Sequence, residues 1–230
     1  MPHILGIFSY ILFGNSTSVW ERGQRFFSNL LRFSLIAAAG TAALEAQWMI
    51  LFVSALAFAV TFLPAILARN LDLHLPMEFE LFLTVFIYAA IFLGEIKSFY
   101  AKFWWWDLGL HALSGIALGF TGFVILYTLY QRSRISATAF SIALFSFSFG
   151  LALGTVWEIF EFAMDSLFGL NMQKTGLRDT MWDLIVDGLG SFLTASIGFV
   201  YIKRYGKKGS FDKFVVRMFK KAADAYKKTA

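Results

Sequence analysis

Long apolar runs separated by short polar interruptions make up most of this chain, and the runs have the length of membrane spans. Six are read: Asn29 to Leu44, Trp48 to Ala68, Phe79 to Leu93, Asp107 to Tyr130, Ala137 to Asp165 and Met181 to Lys203. A hydrocarbon core of about 30 Å takes roughly 20 apolar residues of helix, and backbone crossing lipid must satisfy its own hydrogen bonds. The expected fold is therefore an all-α polytopic transmembrane helix bundle of about six spans. The first span is the weakest of them. Asn29 and Arg32 in its opening turns leave a short uninterrupted apolar stretch, so it is expected to tilt or to lie partly in the interface.

The pattern changes beyond the last span. After the break from Gly206 to Gly209, Ser210 is placed to cap a C-terminal amphipathic helix. Its Phe211, Phe214, Val215, Met218, Phe219 and Ala222 fall at helical spacing, flanked by Lys213, Arg217, Lys220 and Lys221. Residues 1–206 then form the transmembrane domain, and residues 207–230 a basic cytoplasmic tail on the anionic inner leaflet; a solvated tail is the plainer alternative. At the other end, the run from Ile4 to Phe13 is short. It has neither a preceding positive charge nor a small-residue cleavage site, and does not read as a signal peptide.

Composition supports lipid as the solvent: 58% of residues are hydrophobic and 15% charged, against about 25% charged in a soluble domain. The net charge of +5 does not imply nucleic acid, because half of the twenty Lys and Arg follow Tyr201. The partner it implies is membrane lipid. With no cysteine, disulfides, thiolate nucleophiles and Cys-ligated zinc are excluded.

Orientation follows from positive charge, which collects in cytoplasmic segments. With both termini inside, sixteen Lys and Arg fall on the cytoplasmic side and only Lys97, Lys102, Lys174 and Arg178 outside. Trp48, Trp104, Trp105, Trp106, Trp157 and Trp182 fall at the outer end, where indole favours the headgroup region. The expectation is a multi-pass protein of the cell membrane with cytoplasmic N- and C-termini. On that topology Asn15-Ser16-Thr17 is a chance match to a glycosylation sequon.

The candidate chemistry lies in the last three spans. Asp107 and His111 open the fourth span four residues apart, on one helix face. Glu158, Glu161 and Asp165 close the fifth in one stripe, and Asp179, Asp183 and Asp187 open the sixth at steps of four. With Glu95, eight of fifteen acidic residues gather at one membrane level. Ionised groups in a low dielectric need pairing, protonation or a bound cation. Few positive side chains are at hand: Lys97, Lys102, Lys174, Arg178 and a protonated His111. Carboxylates with one imidazole suit a divalent metal ion, Mg²⁺, Mn²⁺, Ca²⁺ or Zn²⁺. Glu95, Asp165 and Asp179 read equally well as hydrated interfacial carboxylates. The glycines on the same faces, Gly115, Gly119, Gly150, Gly154, Gly190 and Gly198, read as packing positions that let helices approach closely.

These residues resemble the YjdF-like family of bacterial integral membrane proteins and, more distantly, the VanZ-like membrane proteins. The resemblance covers roughly Gly94 to Gly198. It rests on Asp107-x3-His111, on Glu158-x2-Glu161 and on Asp179-Thr180-Met181-Trp182-Asp183-x3-Asp187-x2-Gly190. The segment Asn171 to Gly176 only partly follows the pattern. The resemblance implies a membrane fold with an acidic, His-containing site and supplies no reaction.

Three functions fit. The first is an outward-facing, metal-assisted enzyme acting on a lipid or lipid-linked envelope substrate. There Asp107, His111, Glu158 and Asp183 hold the metal, Glu161 or Asp187 acts as general base, and Lys102 or Arg178 contacts a phosphate. The second is a cation or proton transporter, which the neutral inner halves of the last three spans disfavour. The third is a non-enzymatic envelope protein with a structural ion site.

Overall fold

The computed structural model describes residues 19–62, 66, 77–131 and 133–206. The early apolar run, the sequon, residues 63–65 and 67–68 of the expected Trp48 to Ala68 span, and the basic tail with its expected helix lie outside the described residues. The described chain is helical: α1 Val19–Leu44, α2 Trp48–Val60, α3 Met77–Ile87, the short α4 Phe99–Lys102, α5 Trp106–Gln131, α6 Ala139–Phe168 and α7 Leu177–Tyr205. A π-helical segment, Tyr88–Ile96, continues α3. Among the described residues, five stretches are long and apolar enough to cross a membrane: Arg22–Leu44, Glu78–Ile96, Trp106–Gln131, Ala139–Phe168 and Leu177–Tyr205. The expected helical bundle is the fold observed, and two compact units, divided after Lys102, make it up.

In the first unit, α1, α2 and α3 with its π-helical extension pack around Leu35, Ala57 and Phe92. The span expected to be weakest lies within a 26-residue helix, and the residue that interrupts its apolar run is Arg32. Its side chain is 1% exposed, with its guanidinium 4.6 Å from the centre of the Phe62 ring. It donates to Thr61 Oγ1 at 3.3 Å, Thr61 O at 3.2 Å and Asn29 Oδ1 at 3.3 Å, and pairs with Glu80 Oε1 at 3.4 Å. The charge that broke the hydropathy run is thus neutralised by a carboxylate on another helix, and its donors satisfy the backbone at the end of α2. Breaking a buried pair leaves the remaining charge uncompensated. Arg32→Met is expected to cost about 3 kcal/mol, read as a lowered thermal unfolding temperature in detergent, with Glu80→Gln less severe.

The second unit is a three-helix bundle in which α5, α6 and α7 each pack on the other two. Thr138 caps α6 by accepting the Ser141 N–H at 3.0 Å; Gly169, left-handed at φ 66°, ends it. Small residues bring the backbones together. A Cβ on Gly115 would lie 2.5 Å from Asp187 O, and one on Gly190 2.6 Å from Ala112 O. Hydroxyls then bond across the seams: Ser191 Oγ to Gly115 O at 3.0 Å, Thr194 Oγ1 to Ile116 O at 3.2 Å and Ser146 Oγ to Gly119 O at 2.7 Å. The start of α5, the end of α6 and the start of α7 fall at the same end of this bundle, so the three acidic stripes converge there.

Candidate cation site

His111 is the centre of the cluster. It sits just over one turn into α5 and is buried, with its imidazole Nδ1 3.1 Å from Asp187 Oδ2. Asp187 is 0% exposed. As a carboxylate it only accepts, so the contact places a proton on Nδ1, and in the neutral imidazole Nε2 is then the nitrogen with the lone pair. The Ser114 hydroxyl, one turn beyond His111, lies 3.0 Å from Asp187 Oδ1 and 2.8 Å from His111 O. Having one proton, it shares it between them. Gly154 completes the seat: a Cβ there would strike the Asp187 carboxylate.

Nε2 faces α6 and the first turn of its own helix. Glu158 Oε1 of α6 is 3.7 Å from it and Asp107 Oδ1 4.0 Å. One ligand atom each from His111, Glu158 and Asp183 lies within 4.8 Å of the others. Ligands on opposite sides of an ion at about 2.0–2.6 Å are roughly 4–5 Å apart, so the three reach a common cation with small movements. Glu158 is the anomaly in the group. It is 3% exposed, and neither of its carboxylate oxygens has a hydrogen-bond partner, although Thr180 approaches it from α7. A buried carboxylate left this way costs several kcal/mol unless a proton or cation joins it.

A second group shares Asp183. Ligand atoms of Asp107, Asp179 and Asp183 also lie within 4.8 Å of one another. Lys174 reaches over from the α6–α7 connection and pairs with Asp107 Oδ2 at 2.5 Å. That connection is held by Asp165, whose two oxygens accept the Met172 and Gln173 N–H groups at 2.7 and 2.8 Å. Glu161 Oε1 accepts the Trp157 indole N–H at 3.0 Å.

Asp107, His111, Glu158, Glu161, Asp183 and Asp187 all fall at this one end of the second unit. Arg178 is exposed in the first turn of α7. Lys102 and Glu95 belong to the first unit, where Lys102 Nζ donates to Lys97 O at 2.7 Å. Sequence reasoning undervalued two carboxylates: Asp165 is a loop clamp and Asp179 a member of the second group. It also passed over Ser114, which the spacing signals, since positions 107, 111 and 114 share one helix face.

A family model described as "Predicted membrane protein (DUF2238)" matches residues 27–204. The chain is 34% identical over 151 residues to an uncharacterised protein of Thermotoga maritima, a match covering 64% of this chain and 73% of the relative. No solved structure matches it.

Proposed function

Since the chain belongs to the DUF2238 family of predicted membrane proteins, with which the YjdF-like resemblance is consistent, we propose that it is a multi-pass membrane protein that binds a divalent cation through His111 Nε2, Glu158 and Asp183. The observation that carries this reading is the buried Glu158 carboxylate, without a hydrogen bond and within reach of an imidazole nitrogen and a second buried carboxylate. In this reading Asp187 is neither ligand nor base: it fixes the His111 tautomer and ring, as carboxylates behind metal-bound histidines do.

The reaction class favoured is metal-assisted hydrolysis of a lipid or lipid-linked envelope substrate at the outer face. The uncharged stretch Ala112–Gln131 of α5 and the stretch Ala139–Trp157 of α6 are each about 30 Å long at ~1.5 Å per residue. They match a hydrocarbon thickness and leave the acidic end at one membrane boundary. A cation there supplies Lewis-acid stabilisation of charge developing on an ester or phosphoryl group. Glu161, beside Trp157, is the candidate base, and exposed Arg178 the candidate contact for an anionic headgroup. A transporter fits less well. Buried Phe123, Tyr127 and Ile202 fill the far end of the bundle, and the seam between it and the site carries hydroxyls, Ser191, Thr194 and Ser146, but no charged side chain.

Elemental analysis of purified protein should return stoichiometric divalent metal, lost in both Glu158→Gln and His111→Ala. In vesicles of phosphatidylglycerol and phosphatidic acid, mass spectrometry should then show lipid turnover that a chelator stops. Metal without turnover would turn the reading to a structural ion site; cation flux in liposomes would turn it to transport; absence of metal in folded wild type would remove it.

A further inference from the structure

We propose that the site takes two divalent cations, the second held by Asp107, Asp179 and Asp183, with the Asp183 carboxylate bridging both. The inference rests on the mononuclear reading above and adds a second ion to it. Asp183 offers a ligand atom to each three-residue group. It is 2% exposed, and its charge is offset only by attraction to the His111 imidazole, which Asp187 and Glu158 already share. A carboxylate has two oxygens, one for each of two ions separated by the roughly 3.5–4 Å typical of paired metal sites.

Charge balance favours the same conclusion. Asp187 is committed to His111 and Ser114, which leaves Asp107, Glu158, Asp179 and Asp183 around the two positions. One divalent ion and the Lys174 ammonium leave a net negative charge in a largely buried cluster. With buried Glu161 beside these four, two divalent ions offset all but one of the carboxylate charges, where a low dielectric penalises imbalance most.

Lys174 then has a definite part. Its ammonium pairs with Asp107, a carboxylate of the second group, and the loop that carries it is positioned by the Asp165 clamp. Lys174 is a built-in monovalent stand-in that the second cation displaces. The first position is more buried and includes the imidazole; the second is all carboxylate and more open, and suits a harder ion such as Mg²⁺ or Mn²⁺.

The test is Mn²⁺ titration of chelator-stripped, full-length protein in detergent, with bound metal measured after desalting and the bound state examined by electron paramagnetic resonance. Wild type is expected to bind two Mn²⁺ per chain and to give the spectrum of an exchange-coupled pair. Asp179→Asn, a substitution in the first turn of α7, should bind one uncoupled ion. Lys174→Met should keep both and hold the second about two- to fivefold tighter, the equivalent of removing a competing, partly exposed ion pair. Saturation of wild type at one ion, or two uncoupled ions that persist in Asp179→Asn, overturns the dinuclear inference while leaving the mononuclear site standing. Failure of folded wild type to bind any ion overturns both.

Discussion

Asp183→Asn is expected to abolish metal binding altogether, leaving well under one tenth of an equivalent per chain by elemental analysis. On the reading proposed here it also lowers lipid turnover by about a thousandfold, roughly 4 kcal/mol of transition-state stabilisation. The size of the effect follows from position. Asp183 is the residue common to both three-residue groups, so neutralising it removes a ligand from each position at once. The change preserves shape, and because it relieves repulsion with Asp107, Asp179 and Glu158, the metal-free protein should unfold at an equal or higher temperature than stripped wild type. Loss of metal with retained or improved stability separates a ligand from a structural residue. Retention of stoichiometric metal in the variant would sink the site.

The second large effect is expected from a methyl group. Gly190→Ala should destabilise the protein by about 1–3 kcal/mol, the range for overfilling a packed interface, and should reduce metal binding with it. Its Cβ would fall 2.6 Å from Ala112 O and 2.9 Å from Ile116 N. Both are backbone atoms of α5, so no side chain can turn aside. Relief requires α5 and α7 to separate, which pulls His111 away from Asp187 and Asp183. Two residues earlier, Gly188 offers the control: its Cβ would meet only Leu151 Cδ1, at 3.8 Å. Gly188→Ala should stabilise by up to about 1 kcal/mol through helix propensity alone. Thermal unfolding of the pair in detergent, with metal content measured on the same samples, checks both signs; equal effects would refute the close-approach argument.

Asp187 and Gly154 show how the positioning layer can be examined without touching a proposed ligand. Asp187→Asn keeps the size of the side chain but removes the charge that favours the Nδ1–H tautomer of His111. Metal affinity should fall by about 10- to 100-fold, the usual effect of changing the partner behind a metal-bound histidine, while stoichiometry at saturation stays unchanged. A calorimetric titration reads the two quantities separately, and a fall in stoichiometry would make Asp187 a ligand instead.

Much of this could be read along the chain. Apolar run lengths determined the helical membrane bundle, because lipid leaves few other ways to satisfy a backbone. Helical periodicity placed Asp107 with His111, Glu158 with Glu161 and Asp183 with Asp187, and the glycines at steps of four or so marked the faces that could meet. What spacing cannot carry is a distance between helices. Only the tertiary structure decided that Arg32 is paired with Glu80, because hydropathy scores a charge without knowing its partner. Tertiary contact likewise set Asp187 against His111 Nδ1 and left Glu158 buried without a hydrogen bond. It also brought Lys174 to Asp107 and made Asp183 common to two groups. The local pattern selects which residues share a face. The depth at which three backbones cross, set by glycines that allow contact between α5 and α7, selects which of those faces become a site.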